Sequence, residues 1–157
     1  FVATANALLK AGDKERALKV LDKCQESMPD HVWPLESITI GFYTNDYMVI
    51  NMVSDYFAAG APDKAADLGA RLGKELLATA NFYMQFYEYA ADDFERACQF
   101  LYYLIDELEK GGEKTVSHDL KLSLVAMMRS NIPDEEIEGH AQADSSDNAE
   151  IQKQEGK

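Results

Sequence analysis

The sequence predicts an all-α fold of about five to seven helices arranged as a degenerate array of antiparallel hairpins. Three observations carry that prediction. Apolar residues recur at helical spacing through most of the chain, as in Ala17, Leu21 and Cys24 or Leu101, Leu104, Ile105 and Leu108. Glycine and proline fall between those stretches rather than inside a strand-like alternation. A glycine followed five residues later by alanine occurs at Gly12–Ala17 and again at Gly60–Ala65.

The first helix is expected from about Val2 to Lys10, with Ala5, Leu8 and Leu9 inward, and Ala11-Gly12 ends it. Asp13 is placed to cap the second helix, with Arg16 at the position where a capping box carries Glu. Ala17, Leu18, Leu21 and Cys24 or Met28 make its apolar stripe, and Pro29 stops it. The small Ala17 suits a close crossing of two backbones. Residues 29–46 interrupt the pattern. Pro29 and Pro34 disfavour one continuous helix, yet Trp33, Ile38, Ile40, Phe42 and Tyr43 are too apolar for a free loop. This segment is expected to pack across the first hairpin, with a short helix starting near Pro34.

Asn45 or Asp46 is expected to cap the next helix, which runs through Met48, Val49, Met52, Val53, Tyr56 and Phe57 to Gly60. Pro62 suits the first turn of the helix that follows, where its missing N–H would be unpaired anyway. A weaker third copy of the pattern is read over 83–108, with Asp92 in place of the glycine and Ala97 five residues on. Gly111-Gly112 breaks that helix. Lys114 to Arg129 reads as the last one, with Val116, Leu120, Leu124 and Met127 or Met128 inward. Residues 1–133 are thus expected to form one domain. Residues 134–157 carry eight acids against Lys153 and Lys157 and no aromatic, the composition of a flexible acidic tail.

The chain has 157 residues, enough for one domain with a core, and a net charge of -13. That charge repels phosphates and anionic headgroups, so nucleic acid is not an expected partner. Direct membrane insertion is not expected either, since no uncharged run approaches the ~20 residues a span needs. Cys24 and Cys98 fall within apolar helical patterns and read as small buried hydrophobes. The first residue is Phe1 rather than Met, and it is expected to lie inside a helix, as in a cut domain or processed chain.

Catalytic and ligand-binding motifs are sought and set aside. Residues 69–75 (GARLGKE) have the wrong glycine spacing for a phosphate loop and lack the Ser or Thr after the lysine. Residues 144–150 are acidic but lack the ligand order and glycine of a calcium loop. His31, His118 and His140 stand apart, and acid pairs such as Asp92-Asp93 read as solvated faces. No catalytic residue, metal ligand or cofactor is expected. Nine of the sixteen aromatics fall between Phe82 and Tyr103. A thick aromatic core using both sides of an inner helix is the expected explanation. The functional alternative is a partner groove lined by Tyr83, Tyr87 and Tyr89, since tyrosine offers apolar area together with a hydroxyl.

The register of Gly12, Ala17, Leu21, Cys24 and Pro29, repeated in part by Gly60 and Ala65, resembles the tetratricopeptide repeat. The copies are degenerate: 48 residues separate Gly12 from Gly60, and the third copy keeps only Ala97. A narrower resemblance spans roughly residues 1–110. Ala7-Leu8, Gly12, Ala17, Val20-Leu21-Asp22-Lys23-Cys24, Pro29, Val32, Pro34, Tyr56, Gly60, Lys64-Ala65 and Leu72 carry it. Through them the chain is similar to the soluble C-terminal region of large bacterial polytopic membrane proteins related to protein O-mannosyltransferases.

That resemblance implies a non-catalytic helical interaction domain on the extracytoplasmic (periplasmic) side of the inner membrane. Any sugar-transfer chemistry would belong to a separate membrane domain. The alternative is a free-standing tetratricopeptide-like scaffold in the cytoplasm that binds peptide or protein segments. Both readings expect a protein or peptide partner, and an open helical array also allows a homodimer.

Overall fold

The computed structural model describes residues 1–36, 39–40 and 43–131. Six helices occupy most of them: α1 (Val2–Lys10), α2 (Lys14–Ser27), α3 (Asn45–Ala59), α4 (Pro62–Met84), α5 (Tyr87–Lys110) and α6 (Lys114–Asn131). A two-residue antiparallel ladder pairs β1 (Thr39–Ile40) with β2 (Tyr43–Thr44) just before α3. Phe1–Leu124 make one compact unit and Val125–Lys157 a second, of which the described part is the end of α6. The acidic tail expected from 134 lies outside the described residues, as do Ile38 and Phe42.

Three turns share one chemistry. Gly12, Gly60 and Gly112 have φ of +80°, +85° and +88°. At each, the glycine N–H bonds the carbonyl three residues back, Leu9, Phe57 or Glu109, at 2.9–3.0 Å. The next N–H, of Asp13, Ala61 or Glu113, bonds the carbonyl five residues back, Leu8, Tyr56 or Leu108, at 2.9 Å. These paired bonds close the preceding helix and need a left-handed residue between them. Five residues after each glycine stands a small, fully packed residue: Ala17, Ala65 and Ser117. The third instance is therefore Gly112–Ser117. Asp92 and Ala97 both lie within α5, where no such turn exists.

The starts of the helices follow local chemistry. Asp13 caps α2, its carboxylate accepting from the Arg16 N–H at 3.0 Å. Glu113 accepts from the N–H groups of Thr115 and Val116 at the start of α6. Thr44, rather than Asn45 or Asp46, is the N-cap residue of α3. Asn45 instead turns its amide onto the Pro34 carbonyl and ties the end of the inserted segment to its start. Leu35 and Glu36 adopt no helix after Pro34. The Leu35 N–H bonds Glu75 at 3.1 Å and Glu36 bonds Thr79, so this stretch lies along α4.

The core of the first unit is built around α3, which packs against α1, α2, α4 and α5. Val49, Ile50, Met52, Val53 and Tyr56 are buried on it, so its apolar surface is not confined to one stripe. Cys24 and Cys98 are both buried and unoxidised, and burial raises both thiol pKa values, as expected of small core hydrophobes. α4 supplies Leu68, Leu72 and Leu76, and α5 supplies Leu101, Leu104 and Leu108. Gly69 and Gly73, one turn apart on α4, admit the side chains of Leu108 and Leu120. A Cβ added at Gly73 would stand 2.5 Å from a Leu120 methyl.

Tyr56 has no exposed surface, and its hydroxyl ties α3 to α2, with α4 joining through Asp22. It accepts from the Gln25 amide at 2.7 Å and donates to Asp22 at 3.2 Å, while Lys64 holds both Asp22 oxygens at 2.7 Å. Burial pushes the phenol pKa up to about 12, so it stays protonated and donating. Asp55 is buried one residue earlier and accepts from the Asn6 amide of α1 at 2.9 Å. Burial pushes the Asp55 carboxyl up to about 6.

Two outcomes are expected. Gly60→Ala forces a left-handed alanine with no steric relief needed elsewhere, and should lower unfolding free energy by about 1–2 kcal/mol in urea titrations. A neutral result would show that the turn has another geometry. Asp55 holds its proton in the folded state to a higher pH than in the unfolded one. Its contribution to stability therefore falls as pH rises from about 4 to about 6. Asp55→Asn removes that slope and should gain on the order of 1–3 kcal/mol over the parent at pH 7 relative to pH 4. Parallel stability–pH curves for the two proteins would refute it.

Candidate functional site

The aromatic stretch is not a core. Of its nine rings only Phe94 is buried. Tyr83 and Phe100 are half-buried, and Phe82, Phe86, Tyr87, Tyr89, Tyr102 and Tyr103 are exposed, Tyr89 by 90%. The reason is the way α4 meets α5. Only Gln85 and Phe86 separate them, closed by backbone bonds from Gln85 to Phe82 and from Phe86 to Tyr83. Ala90 then departs from helical geometry (φ −134°, ψ 33°), which takes the first turn of α5 out of phase with the rest. Leucines and alanines from Ala97 onward fill the interior that the aromatic residues were expected to fill.

The rings at this corner support one another. Phe82 meets Tyr83 edge-on and Phe86 at a tilt, each with centroids 5.4 Å apart. Tyr87 meets Phe94 edge-on at 5.5 Å. The three tyrosines singled out from the sequence have different settings. Tyr83 lines a shallow cleft of about 430 Å³ with Thr79, Phe82, Glu36 and Arg96. Tyr87 leans on Phe94, and Tyr89 stands almost wholly in solvent.

A second surface was not legible as a site in the sequence. Tyr47, Ile50, Asn51 and Ser54 of α3 face Tyr103, Asp106, Glu107 and Lys110 of α5 across a cleft of about 560 Å³. Tyr47 and Tyr103 are each about half exposed (45% and 48%). Gln99 donates to the Tyr103 hydroxyl at 2.9 Å, and the Asn51 amide bonds the Tyr47 carbonyl at 2.8 Å. Lys110 stands 2.6 Å from Asp106 and 2.8 Å from Glu107, and those two bonds raise its pKa. The i, i+3 and i, i+4 spacing on α5 that brings them together is readable in the sequence. The opposing α3 residues are not.

Beside Tyr47 at the start of α3, Asp46 is buried to 1% exposure. One of its oxygens accepts from the Tyr47 N–H at 2.8 Å, and the other has Arg96 Nη1 at 3.7 Å. Among the described residues no cluster of three or more His, Cys, Asp or Glu is arranged to hold a metal ion. No described helix is long and apolar enough to cross a membrane. The chemistry these surfaces offer is apolar and aromatic contact, hydrogen bonding and charge. Comparison of the chain with family models, curated proteins and solved structures gives no match in any of the three.

Proposed function

We propose that this chain is a non-catalytic, helical protein-interaction domain with tetratricopeptide-like hairpins, and that it binds a peptide or protein segment along α5. The observation that carries the reading is the solvent exposure of Phe82, Phe86, Tyr87, Tyr89, Tyr102 and Tyr103 on α5, the end of α4 and the link between them. Exposed aromatic rings gathered in one stretch are characteristic of interaction surfaces, because covering them releases water from apolar area and still satisfies the tyrosine hydroxyls. The hairpin reading draws support from the three turns at Gly12, Gly60 and Gly112, alike in φ, in backbone bonding and in the small buried residue that follows. Attachment to a membrane glycosyltransferase-like protein, with an extracytoplasmic location, rests on the resemblance of residues 1–110 alone.

The test is selection of binders from a random peptide display library against the purified chain. Binders are expected, and Phe86→Ser with Tyr89→Ser should weaken them roughly tenfold or more. Because both rings are exposed, the melting temperature of that variant should stay within about 4 °C of the parent. Undiminished binding, or a variant that simply unfolds, would count against a docking role for the corner. A concentration-dependent sedimentation coefficient abolished by the same substitutions would assign the surface to a second copy of the chain instead.

A further inference from the structure

The cleft between α3 and α5 has a charge that narrows what can occupy it. α5 carries seven acids (Glu88, Asp92, Asp93, Glu95, Asp106, Glu107, Glu109) against Arg96 and Lys110. α3 carries Asp46 and Asp55 and no lysine or arginine at all. Both cations of α5 are engaged by carboxylates. Arg96 lies 3.7 Å from Asp46 and 3.9 Å from Asp93, and Lys110 bridges Asp106 and Glu107. The cleft itself is lined by Asp106 and Glu107 against Lys110 alone, a net charge of one negative, and the other acids of α5 and the chain's overall charge of -13 add to the field around it.

The apolar part of the cleft has the matching form. Tyr47 and Tyr103 line it from opposite helices, with the buried Ile50 beside them. Aromatic rings next to carboxylates suit a long side chain with an aliphatic stem and a cationic head. The stem covers the rings, the head meets the ring faces and the acids, and little polar surface is left unpaired. An acidic segment would meet like charge with only Lys110 to offset it, and a purely apolar one would strip water from Asp106 and Glu107 without replacing it.

Building on the reading above, we propose that this cleft takes a basic segment of a partner protein. A lysine or arginine lies along Tyr47 and Tyr103 with its charged head at Asp106 and Glu107. Lys110 then acts as an internal stand-in for that head, occupying the two carboxylates until the partner arrives.

The test uses the full chain and two short labelled peptides, one alternating arginine with glycine and one alternating glutamate with glycine, in a fluorescence anisotropy titration. The arginine peptide should bind and the glutamate peptide should not, with affinity falling as salt is added. Asp106→Asn with Glu107→Gln should weaken binding about tenfold. The charge-matched control Glu88→Gln with Glu95→Gln should change it less than about twofold, because those acids lie on α5 outside the cleft. Lys110→Ala should tighten binding by removing the competing cation, an outcome that a merely structural role for Lys110 would not produce. Equal losses in the cleft variant and the control would mean diffuse attraction to an acidic chain and would overturn the proposal. Library peptides that bind through Phe86 and Tyr89 but ignore Asp106 would also overturn it while leaving the interaction domain standing. Failure of every peptide to bind would remove both.

Discussion

The enclosure of α3 by four other helices is the constraint on which the rest of the first unit depends. Most of such a helix is turned away from water, and among its buried residues the sequence nevertheless carries Asp46, Asp55 and Tyr56. Each finds a partner on a different neighbour. Asn6 of α1 donates to Asp55, Gln25 of α2 donates to Tyr56, and Arg96 of α5 approaches Asp46. Lys64 of α4 joins through Asp22. Buried polar groups are costly when unpaired, so these contacts are specific as well as stabilising. A slip of any neighbour by one turn would strand a carboxylate or a hydroxyl.

Close packing around that helix is achieved by small residues at crossings rather than by large ones. Ala17, Ala65 and Ser117 sit at equivalent places after their glycine turns, and Gly69 and Gly73 let leucines from α5 and α6 reach the α4 backbone. Leucine, alanine and glycine occupy the interior at these crossings, and of the aromatic residues of α4 and α5 only Phe94 joins them while six rings lie exposed. The interior and the proposed docking surface thus follow from one packing solution. Small residues let α4 and α5 approach closely, and six rings lie exposed on the outside, where the docking role is proposed.

The charge distribution fits the same division. Two cations of α4 are held in pairs that tie it to α2 and the segment after it: Arg71 bonds Gln25, Asp30 and Asp67, and Lys64 holds Asp22. On α5 the acids outnumber the cations and several stay on the open surface, beside exposed tyrosines. The docking role proposed for this face would use both features, long-range attraction of a cation and apolar contact on arrival, which act at different stages of association.

Much of this was legible locally. The bounds of α1, the Asp13 cap, the glycine that closes α3, Pro62 in the first turn of α4 and the break after Lys110 all depend on residues within a few positions of one another. Capping, left-handed glycine and the missing proline N–H act over that range, so the sequence by itself determined the all-helical class and most helix ends. It could not distinguish the third glycine turn from the Asp92–Ala97 spacing. Both have a small residue five positions on, and what separates them is that the chain turns at Gly112 while Asp92 and Ala97 lie within α5. The fate of the aromatic residues and the pairing of Tyr47 with Tyr103 were decided by tertiary structure. Burial depends on which helices meet and how much volume their crossings leave, and that sum is taken over residues far apart in the chain.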